Sequence, residues 1–266
     1  MRNIGIKKGG SVLVDEFSYQ VQAEQLLKFC GKNPDTRLYV IVSAMKGETD
    51  RCIDEVAQPG DREALHRALK GMEDLPAYNN PSIAARLQQP EIESAYKLKK
   101  YLPDALVIDQ NNPGFPVVAN TNYLCGKVDI ASSELRKDIF DCDEQVVIVS
   151  GFGGVTPENE SVLLGRNATD LVAACIARIA GFSEGDRLVY LKDVDGIYSG
   201  FGTPLQRRIE RMSLDEIGKY GANQALDPRI NDVLGEFRFD IVIGHHKNMY
   251  SLIENEQPPG TILNRR

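Results

Sequence analysis

Apolar runs recur along this chain at Arg2 to Lys7, Arg37 to Ala44, Ala105 to Asp109, Gln145 to Gly151, Arg187 to Asp193 and Phe239 to Gly244. Most are continuous rather than alternating. A strand solvated on one face alternates polar with apolar residues, so continuous runs predict strands covered on both faces. Amphipathic stretches lie between them. Ser18 to Gly31 reads as a helix with Ser18 as N-cap and Gly31 as its stop. Ala168 to Gly181 reads as a second, and Ser213 to Gly221 as a third, opened by a Ser-x-x-Glu capping box. Alternating strands and helices predict the α/β class with a mainly parallel central sheet. With 266 residues, 42% of them hydrophobic, the chain can bury a sizeable core in one domain.

Composition excludes several classes. The five cysteines are odd in number and scattered, without a C-x-x-C, so neither a disulfide framework nor a zinc site is indicated and a reducing cytoplasm is expected. The N-terminus enters a strand pattern at once, leaving no room for a signal core, and Leu171 to Ala177 is too short to span a bilayer. A soluble protein without a membrane partner is expected. Net charge is −7 with Lys and Arg dispersed, which disfavours a nucleic-acid partner.

Some apparent motifs fail. Gly151-x-Gly153 lacks the third glycine of a dinucleotide fingerprint and leads into a Thr156-Pro157 turn rather than a helix. Asp193-x-Asp195-Gly196 lacks the closing glutamate of a calcium loop. Adjacent His245 and His246 would point to opposite sides of a strand end, so no protein metal site is expected.

Others keep two readings. Lys7-Lys8-Gly9-Gly10-Ser11 follows the first strand, where two glycines let backbone N–H groups close on an anion beside Lys7; a plain tight turn is the alternative. Ser43 and Thr49 follow the second strand at a loop and a helix N-terminus, which suits a carboxylate or phosphate, although capping alone could explain Thr49. Asp170 in the first turn of a helix could simply favour its dipole. Arg166 just before that helix is unfavourable without an anion, so the pair reads better as an anion site with a positioning carboxylate.

Taken in order, Lys7-x-Gly9-Gly10-Ser11, Val42-Ser43-Ala44-Met45, Leu164-Gly165-Arg166-x-x-Thr169-Asp170 and Asp193-Val194-Asp195-Gly196-Ile197-Tyr198 resemble the amino acid kinase family, specifically the catalytic domain of aspartokinases. The resemblance covers nearly the whole length and leaves no residues for the ACT-type regulatory domains that usually follow. It implies a three-layer α/β/α sandwich, with an acceptor-binding lobe over 1–150 and an ATP-binding lobe over 151–266, and a homodimer. The implied reaction is phosphorylation of a small carboxylate, aspartate or a close analogue, to an acyl phosphate. Lys7 matches the lysine of the family's K-F-G-G-T-S, which neutralises the transferring phosphoryl group, and Asp170 matches the aspartate that orders the catalytic lysine. Ser43, Thr49 and Arg166 match acceptor-binding positions. Gly9, Gly10 and Ser11 match the phosphate loop, while Lys192, Asp193, Gly196 and Tyr198 fall where the family holds the nucleotide. Magnesium (Mg2+) is implied as a cofactor of ATP, held mainly through the phosphates.

Departures shape the expectation. Aligning Ser82-Ile83-Ala84-Ala85-Arg86-Leu87 with the family's S-F-G-E-R-L puts Ala85 where a glutamate holds the substrate's amino group. An acceptor whose amino group is absent or neutral follows from that alignment. The family's G-A-K-V-L-H-P reads Gly221-Ala222-Asn223-Gln224-Ala225-Leu226-Asp227-Pro228, without the nucleotide-binding lysine, leaving Lys192, Arg207 or Arg208 to compensate. A weak or inactive homologue that binds a ligand or partner, and a kinase of phosphate or carbamate acceptors, are the competing readings.

Overall fold

A computed structural model of the chain describes residues 1–136, 144–220 and 226–264. In chain order its regular elements begin with β1 (Arg2–Lys8), α1 (Glu16–Lys32), β2 (Thr36–Val42), α2 (Glu48–Val56), α3 (Arg62–Ala68) and α4 (Pro81–Lys99). Then come β3 (Leu106–Ile108), β4 (Val146–Ser150), β5 (Gly153–Val155), β6 (Ser161–Leu163), α5 (Thr169–Ile179) and β7 (Arg187–Lys192). The chain continues through β8 (Tyr198–Ser199), β9 (Arg207–Arg208), β10 (Arg211–Ser213), α6 (Ile230–Leu234), β11 (Asp240–His245), α7 (Met249–Glu254) and β12 (Gly260–Asn264).

Eight strands form one sheet in the order β10-β12-β11-β7-β1-β2-β4-β3. Every neighbouring pair is parallel except β11 with β12. All six predicted strands are present, with ends shifted by a residue or two. Alternation then sorts their side chains into two layers. Tyr39 and Ile41 of β2 and Leu188 and Tyr190 of β7 pack with α5 and α6, whereas Leu38, Val40 and Val42 of β2 and Ile4 and Ile6 of β1 pack with α1, α4 and α7. Helix, sheet, helix is the layering that the resemblance implied. A smaller cluster joins α2, α3 and the start of α4 through Ile53, Leu65, Leu69, Ala84 and Leu87 over one end of the sheet.

Two helix boundaries differ from expectation. Helix α1 begins earlier, because Asp15 is its N-cap: Ser18 N–H donates to Asp15 Oδ1 at 2.7 Å, and Asp15 N–H donates to Ser18 Oγ at 3.2 Å. Ser18 is thus the third residue of a reciprocal cap rather than the cap itself. Over Leu214–Tyr220 the chain forms a 3-10 helix, although Glu216 Oε2 still accepts from Ser213 N–H at 3.0 Å as a capping box requires.

Parallel strands present the ends of all their runs at one edge, so the loops after β1, β2 and β7 converge there. Because β1 is central, alternation aims Lys7 at the α5 layer and Lys8 at the α1 layer. Truncating the fully buried Ile6 on that strand should cost about 2–5 kcal/mol. Urea unfolding of Ile6→Ala should show a lower midpoint with an unchanged slope; an unchanged midpoint would mean that β1 is not part of the cooperative core.

Candidate active site

The convergent loops enclose a cavity of about 1130 Å³, the largest of those found among the described residues. Asp170, 4% exposed in the first turn of α5, stands at its centre. Lys7 Nζ at the end of β1 lies 2.8 Å from Asp170 Oδ1, and Lys192 Nζ at the end of β7 lies 2.9 Å from Oδ2. The two lysines reach one carboxylate because β1 and β7 are adjacent and parallel, Lys7 opposite Tyr190, with Lys192 two residues on and therefore on the same face. Tyr190 Oη donates to the Asp170 carbonyl at 3.1 Å and pins the helix start to β7.

Burial alone would raise the Asp170 pKa, but Lys7 and Lys192 outweigh it and bring it down to about 2. Lys7 shows the opposite balance: desolvation lowers its pKa and wins over the attraction of Asp170, with Lys192 adding to the lowering. Asp170 is therefore held as a carboxylate between two lysine side chains at the cavity wall.

Gly9, Gly10 and Ser11, expected to form a phosphate loop, line the cavity with Lys7. A Cβ on Gly10 would lie 3.0 Å from the Ala44 carbonyl, so glycine lets the loop after β1 sit closely against that after β2. Ser43 and Thr49 also line the cavity. The N-cap of α2 is Gly47, and Thr49 stands within the first turn, so capping does not account for it.

Arg166 is presented by a tight turn in which Gly165 and Asn167 both have positive φ, 88° and 67°. A Cβ on Gly165 would meet Cys125 Sγ at 2.8 Å and the Leu69 carbonyl at 3.0 Å, so glycine is required on both counts. Arg166 N–H donates to that same carbonyl at 2.6 Å, and its guanidinium donates to Asp50 Oδ1 at 2.6 Å. Asp50 holds the arginine against the acceptor side of the cavity without filling all five of its donors.

One expected acceptor residue is elsewhere. Ala85 is exposed on α4 and does not line the cavity; Glu91, six residues further on, does. At 100° per residue, that separation places the two on different faces of the helix. Glu91 is 3% exposed, its Oε2 has no hydrogen-bond partner among the described residues, and desolvation pushes its pKa up to about 8 against the Ala44 N–H and Arg166. A carboxyl group thus lines this wall at Glu91 rather than at position 85. Its signal in the sequence was the spacing of polar Gln88, Glu91 and Ser94 along the otherwise apolar buried face of the helix.

Of the residues expected to hold a nucleotide, Lys192 and Asp193 line the cavity, whereas Gly196 and Tyr198 do not. Tyr198 Oη donates to Asp195 and Arg208 pairs with Asp195 at 3.1 Å, so these residues brace the β8–β9 hairpin. Arg207 and Arg208 likewise stand off the cavity. The segment holding Asn223 lies outside the described residues. Just beyond it, Arg229 lines the cavity, gripped by Asp227 at 2.9 and 2.5 Å and donating to the Leu164 carbonyl at 2.7 Å. Among the described residues, no group of three or more His, Cys, Asp or Glu could hold a metal ion.

Glu91 is expected to lower the stability of the unliganded protein as pH rises. Its folded pKa of about 8 exceeds the ordinary value of 4.5, so the stabilisation is complete below 4.5 and is lost as pH rises through about 8. The slope reaches about 1.4 kcal/mol per pH unit in that window. Thermal unfolding of Glu91→Gln and the parent between those limits should show the variant gaining with pH; parallel curves would contradict the burial of an ionisable Glu91.

The family model for the amino acid kinase family matches residues 6–245. An aspartate kinase from Pseudomonas fluorescens is 23% identical over 272 residues, covering 97% of this chain and 57% of that protein. Aspartokinase III from Escherichia coli, solved in complex with aspartate and ADP, superposes with a TM-score of 0.73 at 19% identity, over 100% of this chain and 65% of the other. Uridylate kinase from Archaeoglobus fulgidus gives 0.64 at 17% identity, over 99% and 100%. The chain spans about half the length of the curated aspartokinases it matches. No helix among the described residues is long and apolar enough to cross a membrane.

Proposed function

The chain belongs to the amino acid kinase family, and from that premise we propose that it phosphorylates the carboxylate of aspartate or a close analogue at the expense of ATP. The observation that carries this reading is the Lys7–Asp170–Lys192 triad facing Arg166 and Glu91 across one cavity. Phosphoryl transfer needs little covalent help from a protein; it needs the reactants aligned and charge neutralised on the transferring oxygens.

In this reading Lys7 and Lys192 provide that neutralisation, and Asp170 sets their separation without taking part in bond making. Backbone N–H groups of Gly9, Gly10 and Ser11 hold phosphate oxygens. Arg166 pairs with the acceptor's non-reacting carboxylate, assisted by Ser43 and Thr49. Glu91 receives the α-ammonium, which returns to that buried carboxyl the counter-charge that desolvation makes costly to omit. Arg229 offers the positive charge on the nucleotide side. Magnesium bound through the phosphates would supply further charge neutralisation.

A phosphate acceptor, suggested by the full-length fold match to a uridylate kinase, is opposed by Glu91 and Asp50. The buried Glu91 carboxyl can pair with an ammonium but offers a phosphate dianion no counter-charge, and Asp50 already takes part of Arg166. The notion of an acceptor lacking its ammonium rested on Ala85, which stands outside the cavity.

Hydroxamate trapping of acyl phosphate across a panel of carboxylic acids tests the proposal. Aspartate should be turned over best, N-acetylaspartate and succinate poorly. Lys7→Ala should lose roughly 10²-fold or more in kcat with its circular dichroism unchanged. No hydroxamate from any acid, or normal turnover by Lys7→Ala, would refute the assignment.

A further inference from the structure

Lys8 is the least expected residue in the core. It is 0% exposed, sits where the resembled K-F-G-G-T-S pattern has phenylalanine, and has no ion-pair partner among the described residues. Its ammonium donates to Gln22 Oε1 at 2.5 Å and contacts Met249 Sδ at 3.6 Å. Burial lowers its pKa to about 7. A lysine placed so costs stability that an apolar residue would not, unless an anion comes near.

Directly above Met249 lies a second cavity, of about 200 Å³, between α1 and the start of α7. Its wall combines Gln25, Lys28, Lys32 and Lys247 with Met249 and Tyr250, and no acidic residue lines it. Gln22, Gln25, Lys28 and Lys32 follow one another at helical spacing along one stripe of α1, leading from buried Lys8 to the surface. Gln25 Oε1 is buried with no hydrogen-bond partner among the described residues. Lys32 Nζ sits 5.3 Å from the centre of the Tyr250 ring, and none of the three lysines forms an ion pair among the described residues. Solvated surface lysines are ordinary; three of them ringing a concave, partly apolar site over a buried fourth are not.

We propose that this cavity on the reverse side of β1, away from the kinase cavity, is a second ligand site for a small anion, a carboxylate or phosphate ester, carrying a compact apolar or aromatic body. Lys28, Lys32 and Lys247 hold the anionic group, Tyr250 and the flexible Met249 take the body, and Lys8 supplies positive charge from below.

Calorimetric titration of the whole chain with phenyl phosphate and with benzoate, against benzyl alcohol, tests this. At least one anion should bind with Kd near about 1 mM or tighter and the neutral alcohol should not; the tighter anion identifies the source. Lys28→Glu combined with Lys247→Glu, both exposed positions, should weaken binding at least tenfold, and Arg166→Ala should leave it unchanged. Lys8→Met should raise the unfolding temperature and also weaken binding. Binding that survives the double substitution but is lost in Arg166→Ala belongs to the kinase cavity and overturns the proposal. So does the absence of binding by both anions, or equal binding of the alcohol.

Discussion

A carboxylate buried between two ammonium groups organises this molecule. Asp170 can hold Lys7 and Lys192 only if β1 lies beside β7 in parallel, if both strands end level, and if α5 starts directly over them. Such an arrangement is weak evidence for stability, since desolvating three charges offsets most of their attraction. Its effect is positional: two lysine side chains are fixed at the cavity wall, which in the proposed reaction leaves little reorganisation. The apolar layers on either side of the sheet supply the stability instead, and they permit a charged cluster at its edge.

The acceptor wall follows the same logic with opposite charge. Arg166 and Glu91 are held by backbone geometry, the former by the turn with two left-handed residues and the latter by a long helix crossing behind the sheet end. An arginine and a buried, incompletely satisfied carboxyl on one wall match a zwitterion better than a phosphate. Asp50 occupies part of Arg166 in the unliganded protein, which keeps the guanidinium from being an unpaired charge beside a helix start.

Most of the sheet was legible in the sequence because buried parallel strands write themselves as apolar runs, and Lys7, Ser43 and Lys192 stand at or just beyond the ends of those runs. Short edge strands such as β10 escaped because three residues carry no period. Ala85 misled because a motif was matched along the chain while the helix decides which face is used; Glu91 lies six residues on and on another face. Gly196 and Tyr198 sit in the right loop, but their side of it turns toward Asp195 and Arg208 rather than the cavity. Arg229 was missed because its role depends on contacts with Asp227 and Leu164 that only the folded chain creates.

The central claim is that Asp170 works by placing the two lysines, and Asp170→Asn tests it most directly because shape is kept and charge removed. Measured by acyl phosphate formation with aspartate and ATP, kcat should fall by roughly 10²-fold or more while KM for aspartate changes little. A variant that retains the parent kcat, or one that loses only aspartate affinity, would contradict the account.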